Sequence, residues 1–261
     1  LSPPLTEVNS IKPTDVREWQ NNLIKQGYAQ TYLKSIHNQL STIFNYAVRF
    51  YNLKANPCHS AGSIGKNNAD EMDFWTQEEF RKFADSIMDK HESYIAFNVL
   101  YWTGIRVGEL LALTKADIDF EIHTLRTNKS YQRLNGKDVV TPPKTDKSIR
   151  TITIPEFLAE DLKEYTERLF GLTDDMRIFL FTKHFLNKEI QRGIKASGVK
   201  RIRVHDLRHS NISLLIHMGV SPLAIDDRVG HNGTEQIFKV YGHLFPNVQK
   251  EVAERLDFNY R

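Results

Sequence analysis

Between Ile122 and Ile154 the apolar spacing shortens to two, and Asn135-Gly136 lies inside that block. Asn and Gly tolerate the positive φ that both central residues of a two-residue hairpin turn require, so the dipeptide predicts an antiparallel pair. Thr145-Asp146-Lys147-Ser148 marks a second turn, and three antiparallel strands are expected over about 123–132, 138–143 and 149–154. Almost everything else is patterned for helices. One short antiparallel block among many helices makes the chain α+β and mostly α-helical, with a three-stranded antiparallel sheet.

The helical segments fall into two groups. Thr14 reads as an N-cap, with Val16, Trp19 and Leu23 on one face and Gly27 as the stop. Spacing predicts a second helix over 31–51, with Ile36, Leu40, Ile43, Phe44 and Ala47 inward. Asn56 to Asp70 then mixes Pro, Gly, Ser and Asn and reads as a linker. After it, Thr76-Gln-Glu-Glu79 forms a capping box before Phe80, Phe83, Ala84 and Ile87. Ser93 to Trp102 is nearly all apolar and predicts a buried helix, and the chain turns through Thr103–Leu110 into another. Further helices are expected from Pro155 to Phe170, over 183–197, after Ser221-Pro222 and after Thr234. A last amphipathic one over 247–260 carries Val248, Val252 and Leu256. The implied domains are a helical unit at 1–58, a linker at 59–71, a second unit at 72–246 and a C-terminal helix at 247–261.

Composition mainly excludes. The single cysteine, Cys58, rules out an internal disulfide framework and a Cys-rich zinc site. No apolar run approaches the roughly 18 residues of a membrane span, and no secretory pattern is present, which makes a cytoplasmic location the default. The opening Leu-Ser-Pro-Pro, without Met, reads as a fragment lacking its natural N-terminus. Net charge is only +3, so its distribution matters more than its sum. Lys183 to Arg203 holds seven Lys or Arg against one acid, Glu189, and residues 1–60 hold six against three. Such runs are either solvated faces or surfaces for a polyanion.

The chemistry concentrates near the end: Val204-His205-Asp206-Leu207-Arg208-His209-Ser210, then Gly230-His231, then Tyr241-Gly242-His243-Leu244. A guanidinium beside imidazoles suits a pentavalent phosphorane, whose negative charge lies on non-bridging oxygens. A phenol ten positions after His231 can act as a covalent nucleophile. A second Arg, Arg106, lies in the Thr103–Leu110 turn, where it either reaches a site or merely pairs with Glu109. Lys144 stands on the second hairpin, with Lys147 a short turn away. His205 and His209, at i and i+4, also allow a metal reading, against which stand the Asp between them and the Arg on the same side.

In order and spacing these stretches resemble the tyrosine recombinase (phage integrase) family over about residues 72–245. Residues 1–58 with the linker look like that family's core-DNA-binding domain. The resemblance implies an active site of Arg106, Lys144, His205, Arg208, His231 and Tyr241, six positions agreeing over about 135 residues. Tyr241 would attack a DNA phosphate to give a 3′-phosphotyrosyl link and a free 5′-hydroxyl, with no metal, cofactor or ATP. Arg106 and Arg208 would neutralise the phosphorane, and Lys144 would protonate the leaving oxygen. His205 would take the tyrosyl proton or bond a phosphate oxygen, and His231 would hold a non-bridging oxygen. Glu109 and Asp206 would orient Arg and His, while His209 would pack or hydrogen-bond structurally.

The expected function is site-specific recombination, integrating or excising a mobile element. Expected partners are double-stranded DNA with attachment-type sites, copies of the chain in a synaptic tetramer, and accessory DNA-bending or directionality proteins. No membrane is involved, and the protein would act at the bacterial nucleoid. The apolar stripe of the 247–261 helix docks either in cis on its own catalytic core or, as the resemblance implies, on a neighbouring protomer; the arm-binding domain with which many such integrases begin is not visible. Two rivals are a type IB topoisomerase-like enzyme and a non-catalytic helical DNA-binding regulator, which would not need these six residues in this order.

Overall fold

Pro13 opens the first helix, α1 (Pro13–Lys25), in a computed structural model that describes residues 7–67, 73–143, 145–230 and 233–245. Proline suits the first helical position because its missing N–H would find no partner there. The cap therefore falls at Lys12, whose backbone N–H donates to Asp15 Oδ2 (2.8 Å), and Thr14 lies inside the helix. The chain divides into two compact units, Leu1–Met72 and Asp73–Arg261.

In the first unit, α2 (Gln30–Phe50) buries Leu33, His37, Phe44 and Ala47, whereas Ile43 faces outward. Of the expected inward stripe, Phe44 and Ala47 are buried and Ile36 and Leu40 half-buried, so Ile43 alone departs, while His37 is buried with its Nδ1 hydrogen-bonded to Gln20 Nε2 at 3.2 Å. The segment expected to be linker begins with a short helix, α3 (Pro57–Ala61). Asn56 caps it by accepting from the Cys58 N–H, and Cys58 and Ala61 pack with Val16 and Phe44.

The second unit opens with the expected capping box: Thr76 Oγ1 accepts from the Glu79 N–H and Glu79 Oε2 from the Thr76 N–H at the start of α4 (Gln77–Asp85). Nearly all of α5 (His91–Thr103) is buried, and α6 (Val107–Ala112) follows directly. The block with period two forms five strands: β1 (Ile118–Asp119), β2 (Thr124–Thr127), β3 (Ser130–Leu134), β4 (Lys137–Thr141) and β5 (Arg150–Thr153). They make a three-stranded antiparallel sheet, β1-β2-β5, and a separate β3-β4 hairpin turned by Asn135 and Gly136, both at positive φ. The single strand expected over 123–132 thus breaks at Asn128-Lys129, where Lys129 turns inward to pair with the buried Asp117. Register places Leu125 opposite Ile152, both buried.

Helices complete the unit: α7 (Glu156–Glu167), α8 (Lys183–Ser197), α9 (Asp206–His217), α10 (Pro222–Val229) and α11 (Thr234–Tyr241). α7 ends before Phe170, which is fully exposed. Ser221 caps α10, but Thr234 is already helical and Gly233 takes the cap position of α11. The main core gathers α4, α5, α7, α8 and the sheet, with Phe80 stacked on Tyr101 at 3.8 Å. A smaller cluster of Ile212, Ile216, Ile225, Val229, Ile237 and Tyr241 joins α9, α10 and α11. The helix expected over 247–260 lies outside the described residues. Among the described residues no helix is long and apolar enough to cross a membrane.

Candidate active site

Gly104 ends α5 in the left-handed region (φ +67°), and a Cβ there would lie 2.5 Å from Asn211 Oδ1. That close approach pins α5 to α9. The Asn211 amide donates to Tyr101 O and Arg208 Nη1 donates to Gly104 O, each at 2.8 Å. The turn delivers Arg106 to the cap position of α6, where its backbone N–H and its Nη1 both donate to Glu109, at 2.9 Å. The pairing of Arg106 with Glu109 is therefore present, but it does not use up the guanidinium, whose Nη2 reaches Gly230 O (2.8 Å).

Arg208 is 4% exposed, and its second amino nitrogen, Nη2, is buried with no hydrogen-bond partner among the described residues. Burial, and then the nearby Arg106, push its pKa down to about 9, which leaves it cationic at neutral pH. An unmade hydrogen bond at a buried donor costs about 1–3 kcal/mol, and more when the group is charged. Two guanidinium groups side by side, one with an amino group free to donate, can bind an anion.

Arg150 is the functional residue that motif reading missed. Only 7% exposed on β5, its guanidinium donates to both carboxylate oxygens of Glu109 (3.2 and 3.0 Å) and to Thr127 Oγ1 (2.9 Å). It also donates to Ser148 O (3.2 Å) and Arg228 O (2.7 Å). One side chain thus joins the carboxylate that holds Arg106, Ser148 in the β4–β5 connection, which links the two sheets and is not the second hairpin expected from the sequence, and the turn that ends at Gly230. Gly230 (φ +66°) closes that turn, where a Cβ would meet Arg150 Nη1 and Lys147 O at 3.1 Å. Burial alone would raise the Glu109 pKa, but Arg150 and then Arg106 outweigh it and hold the carboxyl below its ordinary range. A signal for Arg150 existed: it shares the inward face of its strand with Ile152 and Ile154, and an inward charge needs a buried partner.

His205 caps α9 and is exposed, its pKa lowered by partial desolvation and then by Arg208. Among the described residues Asp206 makes no hydrogen bond to a histidine. Its carboxylate accepts instead from the Arg203 backbone and guanidinium (2.8 Å for the N–H and for Nη2). Tyr241 ends α11, is 3% exposed, and its hydroxyl is hydrogen-bonded to His209 Nδ1. Burial raises the phenol's pKa well above its ordinary value, while Arg208 pulls it down by less. The described structure therefore gathers Arg106, Arg208, His205 and Tyr241 about the α5–α6 turn and α9. Lys144 and His231 lie outside the described residues, although Thr145–Ser148 and Gly230 beside them are described. Lys147 is exposed. Among the described residues no three His, Cys, Asp or Glu side chains converge as a metal site would need.

A model of the phage integrase family matches residues 73–247. The ICEBs1 integrase of Bacillus subtilis (strain 168) is 35% identical over 266 residues, 97% of this chain and 72% of that protein. A XerC-like tyrosine recombinase of Caldanaerobacter subterraneus is 27% identical over 282 residues, 96% of this chain and 72% of that one. The fold is similar to that of the Tn1549 transposon integrase solved in complex with a circular intermediate DNA. That match has a TM-score of 0.80 at 19% identity, covering 97% of this chain and 87% of the other. A λ integrase dimer bound to a COC′ core site matches with a TM-score of 0.66 at 20% identity, covering 90% and 84%.

Proposed function

The chain belongs to the phage integrase family of tyrosine recombinases, and we propose that Arg106 and Arg208 bind the scissile phosphate of a DNA attachment-type site that Tyr241 attacks. Its activity is site-specific recombination for a mobile element, by cleaving and rejoining DNA strands without metal or ATP. The observation that carries the assignment of the pocket is the buried, cationic Arg208 with an amino group that has no partner among the described residues. A phosphate oxygen supplies what that nitrogen lacks, as a charge-assisted bond.

In the forward step the Tyr241 oxygen bonds to phosphorus and the phosphorus–5′-oxygen bond breaks. The phenolic proton passes to a base, a role for which His205 is the exposed imidazole at the site. Lys144 gives a proton to the departing 5′-oxygen, and His231 holds a non-bridging oxygen. The 3′-phosphotyrosyl link keeps the bond energy, so the 5′-hydroxyl of another strand reverses the step without ATP. The basic first unit adds phosphate contacts as a core-DNA-binding domain. Four copies form the synaptic complex, aided by DNA-bending or directionality proteins, and residues 247–261 couple neighbouring protomers.

The test uses a nicked suicide DNA site, on which a cleaved strand cannot be rejoined. The wild-type chain should give a protein–DNA band that survives detergent, and Tyr241→Phe should give none. An adduct formed by Tyr241→Phe would transfer the nucleophile to another tyrosine.

A further inference from the structure

Tyr241 and Arg208 interact electrostatically, and no hydrogen bond joins them among the described residues. Arg208 carries a spare buried amino group and senses the phenol electrostatically, yet the Tyr241 hydroxyl is hydrogen-bonded to His209 Nδ1. His209 lies one helical turn after His205, on the same side of α9, with the two rings 5.5 Å apart and edge-on. Its ring stands 5.8 Å from that of Tyr241.

We propose that His209 is a positioning residue for recombination: in the DNA-free chain its Nδ1 accepts from the Tyr241 hydroxyl and holds it beside α9, and the phenol has to give up this partner before attacking phosphate. The proposal rests on Tyr241 being the nucleophile. A second role for the contact, proton transfer from phenol to imidazole, fails on acid strength. Burial, with His205 adding to it, pushes the His209 imidazole down to about 4, while burial pushes the phenol up. An imidazole that weak does not take the proton of such a phenol at neutral pH, so the bond holds the hydroxyl without activating it.

The helix that carries Tyr241 is built to let go. α11 has eight residues, and an isolated helix shorter than about 12–15 residues is marginal in water. It has no side-chain N-cap, and it is bracketed by Gly233 (φ +129°) and Gly242. Its fully buried anchors are Ile237 and Tyr241 itself. Swinging the phenol from His209 toward Arg208 thus requires the hydrogen bond to break and the Tyr241 ring to shift within the cluster it shares with Ile212, Ile216 and Ile237.

The test is chemical labelling of the DNA-free, full chain with iodine, read by peptide mass spectrometry. Tyr32, 52% exposed, serves as internal reference among the ten tyrosines. Loss of one hydrogen bond predicts about 2- to 12-fold more labelling of Tyr241 in His209→Phe. Adduct formation on the nicked site should stay at the wild-type rate or rise, and His209→Gln, which keeps an acceptor, should stay near wild type in both assays. In the wild-type chain, imidazole nitrogen NMR should show a neutral His209 with Nδ1 as acceptor, a signal that shifts in Tyr241→Phe. Unchanged labelling in His209→Phe, or a His209 signal indifferent to Tyr241→Phe, would overturn the proposal. So would adduct formation that collapses in His209→Phe while DNA still binds, since that makes the imidazole the proton acceptor. An adduct from Tyr241→Phe would instead remove the premise.

Discussion

Replacing Arg150 by Met tests whether the pocket is held together from below. The substitution keeps an unbranched stem in a site that is 7% exposed and removes every N–H of the guanidinium. Glu109 loses two bonds, and the carbonyls of Arg228 and Ser148 and the Thr127 hydroxyl lose one each. Removing one partner of a buried ion pair costs about 3–5 kcal/mol. Because Glu109 keeps its two bonds from Arg106, the lower figure applies, ~3 kcal/mol. At about 2–4 °C per kcal/mol for a unit of this size, the melting temperature should fall by roughly 6–12 °C. Arg150→Lys should recover part of this, since an ammonium restores charge but not the fork.

Acid pH gives an independent check. The Glu109 pKa is lower folded than unfolded, so its stabilisation is complete above the unfolded value and is lost as pH falls through the folded one. The gap in melting temperature between wild type and Arg150→Met should therefore start to narrow as pH falls below the ordinary glutamate value of about 4.3 and keep narrowing toward the lower folded value. Thermal melts across pH, with adduct formation at neutral pH, provide both readings. A variant that melts within about 2 °C of wild type and cleaves at full rate would refute the reasoning.

Other consequences concern the chemistry and assembly. Lys144→Ala should cleave a normal phosphodiester slowly and regain rate when the leaving oxygen is replaced by sulfur, which departs without a proton; equal slowness on both substrates would move the role to Lys147 or a histidine. Binding to a core site through ~6–10 phosphate contacts should weaken about 10³–10⁵-fold between 50 and 200 mM salt, and a shallow slope would deny that both units engage the backbone. A chain ending at Pro246 should still bind one site yet synapse two poorly if residues 247–261 dock on a neighbouring protomer, whereas intact synapsis would refute that docking.

Where local chemistry decides structure, the sequence was readable. The Thr76–Glu79 box, the apolar run of α5 and the Asn135-Gly136 turn each carry their own cause, and each appears where expected. The misses have causes that act at a distance. The burial of His37 in α2 goes with a hydrogen bond to Gln20, seventeen positions away. Strand 123–132 breaks because Lys129 finds Asp117, a pairing that alternation cannot reveal. Pro, Ser and Asn after residue 56 resemble a linker by composition, yet Asn56 and Pro57 are also good helix starters, and burial of Cys58 and Ala61 decides between the two.

The site divides the same way. Arg106, His205, Arg208 and Tyr241 could be picked out because a phosphoryl-transfer pocket needs cations, an imidazole and a nucleophile, and few chains supply them in that order. What each group touches could not be read. His205 and His209 lie one turn apart on one helix face, so spacing offers the phenol either imidazole. The choice falls to His209 because Ile237 and Tyr241 are buried against α9 and α10, and that packing brings the hydroxyl to Nδ1. Arg150 stayed hidden for a related reason: it lies on β5 and its carboxylate partner stands 41 positions earlier, in α6. Arg150, which no motif selects, and His209, whose partner the motif does not reveal, are thus the side chains joining segments far apart in the chain. Arg150 connects the segments that carry Arg106 and His231, and His209 connects α9 to the helix bearing the nucleophile. Substitution at the first is expected to act through stability and pocket geometry, and at the second through the freedom of one hydroxyl.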